Sequence, residues 1–180
     1  MSGLTLTPLK SVPKIKTGDD IAGITLEAAS ASSIALQDGD VLVYAQKIIS
    51  KSEGRLIDLA TVNPSPKAKE IATIAEKDSR VVELILSEST EVLRAIPGVI
   101  IVQHRLGLVL ANAGIDRSNV DGQDHALLLP IDPDQSARSI RSGIASKANR
   151  DVGVMIIDSI GRAWRNGTVG TLIGSSGVET

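Results

Sequence analysis

The sequence predicts a fold in which strands and helices are mixed, either an α+β fold or an irregular α/β sheet. Short apolar runs such as Val41–Ala45, Val99–Gln103 and Val152–Ile157 have the length and β-branched content of buried strands. Segments between them repeat apolar residues at helical spacing, without a strict βαβα rhythm. With 180 residues, 42% of them apolar, the chain is long enough for a single domain with a real core.

Four helices are predicted from their start signals. Asp19 or Asp20 can cap a helix that runs to about Ala31, and Ser65-Pro66 gives the preferred order of cap and first-turn proline for a helix to about Lys77. Asp78 or Ser79 caps a third helix, whose apolar spacing extends through Leu93. The segment Asp132-Pro133-Asp134 caps a fourth, with an apolar stripe formed by Ala137, Ile140, Ile144 and Ala148.

Further strands follow from alternation and turn signals. Leu4–Leu9 alternates like a strand, and the turn Gln37–Asp40 opens the strand Val41–Ala45. We expect Val99–Gln103 and Leu106–Ala111 to form a hairpin through a turn at His104-Arg105. His125 is likewise assigned to a turn. The tail carries glycines at Gly161, Gly167, Gly170, Gly174 and Gly177.

Composition excludes several classes of function. The chain has no Phe and only two aromatic residues, Tyr44 and Trp164, so base stacking of the kind used by single-stranded nucleic-acid binders has almost no platform. A net charge of −2 provides no basic field for nucleic acid or an anionic membrane. Apolar runs are too short to span a membrane, and the start does not resemble a secretory signal. We expect a cytoplasmic protein that binds neither nucleic acid nor membrane.

Two acidic turns each follow an apolar run. Asn112–Asn119, which contains Asp116, comes directly after Leu106–Ala111, and Asp158–Arg162 comes after Val152–Ile157. Aspartates at the carboxyl ends of strands provide the hard oxygen ligands that magnesium and manganese prefer, with phosphates and waters completing the shell. An aspartate in this position can equally form a turn or cap a helix. The pair therefore predicts a metal–phosphate site as one of two interpretations.

The chain resembles the coenzyme F420-0:gamma-glutamyl ligase family. The resemblance rests on motifs that occur in family order along nearly the whole chain: Ile48–Arg55, Asn63-Pro64-Ser65, Asn112–Val120, Leu127–Asp134, Asp158–Arg162 and Arg165–Gly170. It implies an α+β fold, a homodimer with active sites between subunits, and use of magnesium or manganese. The implied activity is a GTP-dependent amide ligase that joins L-glutamate to the lactyl carboxylate of coenzyme F420-0 through an acyl phosphate.

The resemblance also implies roles for particular residues. The metal positions fall on Asp116, Asp158 and Ser159, where serine replaces a threonine of the family and keeps its hydroxyl. The nucleotide positions are Val12, Pro13, Lys14, Ile15, Gln46, Lys47, Lys51 and Asn119. The family pattern has small hydroxylic residues in place of Gln46-Lys47. No residue is assigned to proton transfer.

Structural roles remain open beside these. Lys51 is also consistent with a solvated surface lysine, and Asn119 with an Asx-turn. Arg162 and Arg165 flank Trp164 and could hold a phosphate or form surface ion pairs. Asp132 and Asp134 are expected to be helix caps, and neither His104 nor His125 is expected to be catalytic.

The resemblance implies a domain, residues 1–180, that is truncated relative to the family at its carboxyl end. The family continues beyond Thr180 with a glycine-rich acidic stretch that contributes to metal and GTP binding. We therefore expect the 180-residue chain alone to lack turnover unless a partner chain supplies this segment. The alternative function is a non-catalytic module that binds a phosphorylated ligand or a partner chain.

Overall fold

A computed structural model describes residues 3–117, 124–161 and 164–179. Within them lie five α-helices, Ile21–Ala31 (α1), Gln46–Ser52 (α2), Pro66–Ala75 (α3), Ser79–Ser87 (α4) and Pro133–Ala148 (α5). The strands are Val41–Ala45 (β1), Leu56–Asp58 (β2), Ser89–Ile96 (β3), Val99–His104 (β4), Val109–Ala111 (β5), His125–Leu127 (β6), Gly153–Gly161 (β7) and Thr168–Ser176 (β8).

The strands form three small sheets in an α+β arrangement. The first has the order β1-β7-β8, with β1 parallel to β7 and β8 antiparallel to β7. The second pairs β2 with β6, and the third has the order β3-β4-β5; both are antiparallel. The first sheet is therefore mixed, as the fold prediction requires.

The predicted helix starts are confirmed at all four caps, including Asp78, whose carboxylate accepts a hydrogen bond from the backbone N–H of Arg80. The carboxylates of Asp20 and Asp132 accept hydrogen bonds from the backbone N–H groups of Gly23 and Gln135, and the Ser65 hydroxyl accepts one from Ala68. Each bond satisfies a donor that the first helical turn leaves without an intrahelical partner. Proline follows the cap directly in α3 and α5, where its missing N–H costs nothing.

Three apolar clusters hold these elements together, the smallest being Leu110, Leu129 and Ile160. One lies between the first sheet and α1 and α5, and includes Tyr44, whose hydroxyl is 2.8 Å from the hydroxyl of Thr25. Another packs α3 and α4 against β4, with Val82, Ile85 and Ile100 fully buried. Packing without phenylalanine depends on close approach of small residues. A Cβ on Gly174 of β8 would lie 2.5 Å from the Pro133 Cβ at the start of α5.

Several sequence predictions are wrong. Leu4–Leu9 forms no strand, and Leu4 and Leu6 are exposed. The third helix ends at Ser87, so that Ser89 and Leu93 belong to β3. The polar segment after β1 begins with the helix α2, and the glycine-containing tail contains the long strand β8, neither of which was predicted.

The two histidines also differ from expectation. His104 is the fully buried last residue of β4, and His125 begins β6, so neither was correctly assigned to a turn. Among the described helices, none is both long enough and apolar enough to cross a bilayer.

Candidate active site

The candidate site lies where the parallel pair β1–β7 ends. Ala45 on β1 is opposite Ile157 on β7, and this is the last residue pair of the parallel ladder. The chain then enters α2 at Gln46, whereas β7 continues through Asp158 and Ser159, paired only with β8. Residues 46 and 158 therefore lie side by side just beyond the carboxyl end of the parallel pair, the kind of position where open α/β sheets bind their ligands.

Asp158 therefore lies within a strand. The sequence predicts a turn at this position, after the end of the strand, and that prediction is wrong. The apolar run Val152–Ile157 was taken as the whole strand, but β7 extends to Gly161 because β8 provides antiparallel partners for residues 158–161. The polar side chains of Asp158 and Ser159 are tolerated there because β1 has already ended on the other side.

A left-handed turn brings Asp116 to the same place. Asn112, Ala113 and Gly114 have φ values of 51°, 53° and 66°, a conformation that is unfavourable for an L-residue such as Ala113. The Asn112 side chain stabilises the turn by accepting a hydrogen bond from the backbone N–H of Ile100. Asp116 then forms a two-bond bridge with the backbone of Leu127, at 3.0 and 2.9 Å, so its main chain is fixed.

These segments enclose an open pocket of about 410 Å³. Five predicted site residues line it: Gln46, Lys47, Asp116, Asp158 and Ser159. The remaining lining residues are Ala111, Gly114, Ile115, Ile160 and Gly161. They were not predicted as site residues, although all except Ala111 fall inside the two motifs that were singled out. The pocket thus unites three segments that are remote in sequence.

Lys47 forms an ion pair with Asp116 inside this pocket. The Lys47 ammonium contacts the Oδ2 atom of Asp116, and the two side chains retain 36% and 18% of their exposure. The lysine comes from the first turn of α2, whereas the aspartate comes from the segment after the left-handed turn. A resident positive charge therefore lies on one of the two carboxylates predicted to bind metal.

The second carboxylate is electrostatically different. Burial raises the pKa of Asp158, and the charge of Asp116 raises it further, while the Ser159 N–H and the charge of Lys47 oppose the shift. The Ser159 N–H donates to Oδ1 of Asp158 at 2.9 Å. The carboxylates of Asp116 and Asp158 are thus close enough to repel each other, which favours any cation that enters the pocket.

The other predicted site residues lie at different distances from this centre. Gln46 is almost completely buried and accepts a hydrogen bond from the Ser50 hydroxyl at 2.8 Å. Lys51 lies one helical turn beyond Lys47 on α2 and is half-buried, but it does not line the pocket. Asn119 lies outside the described residues.

The predicted first loop is also outside the pocket lining. Val12, Pro13 and Lys14 are exposed, and Ile15 is half-buried against the core beneath α1. Of the arginines that were considered for phosphate binding, Arg165 is exposed and Arg162 lies beyond the part of the chain that the structure describes. Trp164, next to Arg165, has its side chain completely in solvent.

A buried charge cluster supports the segment that leads into α5. Glu88 is buried, and its Oε2 atom lies 2.8 Å from Arg55, 3.1 Å from Arg105 and 3.6 Å from Nε2 of His104. Burial opposes ionisation of Glu88, but the nearby His104 ring and the two arginines lower its pKa to about 2. Since Nδ1 of His104 accepts from the Leu106 N–H, the ring proton is placed on Nε2, facing the carboxylate.

The same arginines hold the neighbouring main chain. Arg55 donates to the carbonyl of Leu129, and Arg105 donates to the carbonyls of Pro130 and Ile131. The cluster therefore joins β2, β4 and the segment before α5, and so fixes the frame around the pocket. His104 is a buried structural member of this cluster.

The pocket fits a magnesium or manganese ion by its donor set. Two carboxylates and a serine hydroxyl line it, and these hard oxygen donors leave room for phosphate and water ligands. No cluster of three or more His, Cys, Asp or Glu suited to a metal occurs among the residues described. Asp132 caps α5 as expected, whereas Asp134, also expected to be a helix cap, instead accepts a hydrogen bond from the Ser175 N–H of β8.

Comparison with known proteins identifies the class of this α+β protein. The model of the family "F420-0:Gamma-glutamyl ligase" matches residues 10–180. A protein of Methanopyrus kandleri named "Coenzyme F420:L-glutamate ligase" is 44% identical over 99% of this chain and 69% of its own length. Proteins with the same name from Methanothermobacter thermautotrophicus and Archaeoglobus fulgidus are 42% and 44% identical, over 98% and 96% of this chain and 70% and 66% of their own lengths.

The chain belongs to the F420-0:gamma-glutamyl ligase family, and the family resemblance seen in its motifs is confirmed. It spans about two thirds of the length of these relatives.

Proposed function

We propose that this protein is an amide ligase that uses GTP and a divalent cation to join L-glutamate to the lactyl carboxylate of coenzyme F420-0. The observation that carries the proposal is the single pocket lined by Asp116, Asp158, Ser159 and Lys47 at the carboxyl end of β1 and β7. The names of the curated relatives agree with a ligase that acts on F420 and L-glutamate. They do not favour the alternative of a non-catalytic module.

The proposed reaction has two steps. An oxygen of the lactyl carboxylate attacks the γ-phosphorus of GTP, the bond from that phosphorus to the bridging oxygen of GDP breaks, and an acyl phosphate forms. The amino nitrogen of glutamate then attacks the acyl carbon, the carbon–oxygen bond to phosphate breaks, and the amide forms with release of inorganic phosphate and a proton. A site for this chemistry mainly positions anions and neutralises their charge.

The residues of the pocket suit these tasks. We assign Asp116, Asp158 and Ser159 to a magnesium or manganese ion, which would neutralise phosphate charge and orient the γ-phosphate. Lys51 lies one helical turn beyond the pocket residue Lys47, within reach of a bound phosphate through its flexible stem. Gln46, Asn119 and the loop Val12–Ile15 complete the proposed nucleotide site. We propose a homodimer as the assembly, as in the family resemblance.

Mass spectrometry tests the reaction directly. The protein is incubated with F420-0, L-glutamate, GTP and manganese; a product heavier by one glutamyl residue that is absent when GTP or metal is withheld would establish the reaction, and would overturn the expectation that residues 1–180 alone lack turnover. Manganese-dependent GTP binding, measured by calorimetry, is the parallel test of the site. GTP binding that is the same in wild type, Asp116→Asn and Asp158→Asn would reject the assigned site, and a folded protein without metal-dependent GTP binding would reject the function.

A further inference from the structure

We propose that Lys47 is a built-in counter-ion of Asp116 that competes with the divalent cation for the pocket. The inference rests on the metal site of the proposed function and adds a residue that sets its affinity. In the metal-free protein the lysine ammonium neutralises Asp116. A metal ion must displace it before it can bind the same carboxylate.

The contact itself is the first argument. Lys47 and Asp116 both line the pocket, and the ammonium contacts Oδ2, one of the oxygen atoms that a metal ion would require. An ammonium and a divalent cation on one carboxylate oxygen repel each other strongly at contact distance. The lysine and a metal ion therefore compete for this carboxylate.

The second argument is that the two partners differ in freedom to move. Asp116 is held by its backbone bridge to Leu127, and its side chain keeps only 18% of its exposure. Lys47 retains 36%, and its four-carbon stem can carry the ammonium into solvent or toward a phosphate. When a cation arrives, the lysine is the group that moves.

The third argument is the charge of the pocket. Asp116 and Asp158 both line the pocket, where their like charges oppose each other, and the Lys47 ammonium between these elements reduces the net negative charge of the pocket. The lysine thus stabilises the metal-free pocket and, by the same interaction, weakens metal binding. Through it, metal binding becomes coupled to the arrival of a phosphate that can accept the displaced ammonium.

Manganese titration without nucleotide tests the competition. We expect Lys47→Met to bind manganese about three- to tenfold more tightly than wild type, which corresponds to about 0.6 to 1.4 kcal/mol because 1.4 kcal/mol is tenfold in affinity. Lys47→Arg keeps the charge and should keep the weaker affinity. Lys51→Met removes the same charge one helical turn away and measures the general effect of the helix charge.

Thermal unfolding gives a readout that does not depend on turnover. Metal-free Lys47→Met should unfold at a lower temperature than wild type because Asp116 loses its counter-ion, and saturating manganese should raise its Tm by more than it raises that of wild type. Lys69→Met, on the exposed side of α3 and outside the proposed site, should show neither change.

The outcomes separate the two proposals. Equal manganese affinity in wild type and Lys47→Met overturns the competition but not the metal site. The same conclusion follows if Lys51→Met gains as much manganese affinity as Lys47→Met. Absence of manganese binding in all four proteins overturns the metal site and the competition together. Tighter binding confined to Lys47→Met, with the larger rise in Tm, supports both.

Discussion

Ala45 and Ile157 are the last residues that face each other across the parallel strands β1 and β7. One residue further along each strand, Gln46 turns into a helix and Asp158 continues in a strand without its parallel neighbour. This divergence opens the pocket, because it frees the side chains of the next residues on both segments. The proposed chemistry therefore depends on where β1 ends.

The metal assignment predicts a loss of manganese affinity in Asp116→Asn and Asp158→Asn. Each substitution keeps the shape of the side chain but removes an anionic ligand, and we expect at least about a tenfold weakening, a factor equivalent to 1.4 kcal/mol. Calorimetric titration measures it, with Glu70→Gln on the exposed side of α3 as the charge-matched control. Wild-type affinity in either pocket variant would contradict the assignment of that residue.

Asp158→Asn should also change the pH dependence of stability. Because the folded state raises the pKa of Asp158, it binds a proton over an interval above 3.8 in which the unfolded chain has already ionised, so stability falls as pH rises through that interval. Asparagine does not ionise, so the stability of the variant does not fall through this pH interval. The metal-free variant should match wild type below about pH 3.5 and be the more stable protein at pH 7.

Urea unfolding at several pH values provides the comparison. If the stability difference between wild type and Asp158→Asn is constant from acid to neutral pH, the prediction is wrong, because the folded state then does not raise the pKa of Asp158.

Glu88→Gln should show the opposite behaviour to Asp158→Asn: the variant should be less stable than wild type at neutral pH. The folded pKa of about 2 lies below the ordinary 4.5, so ionised Glu88 contributes stability that is fully present above pH 4.5 and is lost as the pH falls toward 2. The shift corresponds to roughly 3 kcal/mol at pH 7. The glutamine variant should show this loss at neutral pH and little loss near about pH 2, measured by denaturant unfolding.

Arg55→Met provides the partner test for this cluster. It leaves a buried carboxylate with one arginine fewer, and removal of one partner from a buried pair costs about 3–5 kcal/mol. If the cluster acts as a unit, the double variant Glu88→Gln with Arg55→Met should be much less destabilised than the sum of the two single changes. Additive losses would contradict a coupled cluster.

Gly174→Ala should prevent stable packing of α5 on the first sheet. The added Cβ would lie 2.4 Å from the carbonyl carbon of Pro133, a backbone atom that cannot move without shifting the start of the helix. We expect a loss of roughly 1–3 kcal/mol or more, as for other overpacked cores. Gly170→Ala in the same strand is the control, since its Cβ meets only the Ile157 side chain at 3.9 Å. Thermal denaturation of both variants tests the prediction: Gly174→Ala should lower the Tm, and Gly170→Ala should leave it nearly unchanged.

The sequence predicted well the elements that have local signals. The caps at Asp20, Ser65 and Asp132 start helices as predicted because the capping hydrogen bond is made within four residues of the cap. Val41–Ala45 was correct to the residue because a tight turn and an apolar run bound it.

The wrong predictions depend on contacts that are distant in sequence. The strand β8 is stabilised by its pairing with β7 and by glycines that allow α5 to approach, neither of which produces an alternating apolar pattern. Helix α2 is short and has no side-chain cap, so it gave no start signal. Leu4–Leu9 has the pattern of a strand but no partner strand within the described residues.

The sequence predicted that the two acidic residues would come together, but not the electrostatics of the pocket that they line. Asp116 and Asp158 were recognised by their motifs, and the structure brings both to one pocket. The contact between Lys47 and Asp116 could not be predicted, because it depends on the left-handed turn at residues 112–114 and on the direction in which α2 leaves the sheet.

The placement of the two aromatic residues determines which optical signals can follow this protein. Trp164 is fully solvated, so its fluorescence will be nearly the same in the native and the denatured chain, and an unfolding curve recorded at its emission would be almost flat. Tyr44 is buried, and burial raises its pKa to about 12, so its ionisation at alkaline pH will report on loss of the core. Far-ultraviolet circular dichroism is the appropriate probe for denaturation, which leaves the tryptophan emission available to detect molecules that approach the tip of the β7–β8 hairpin.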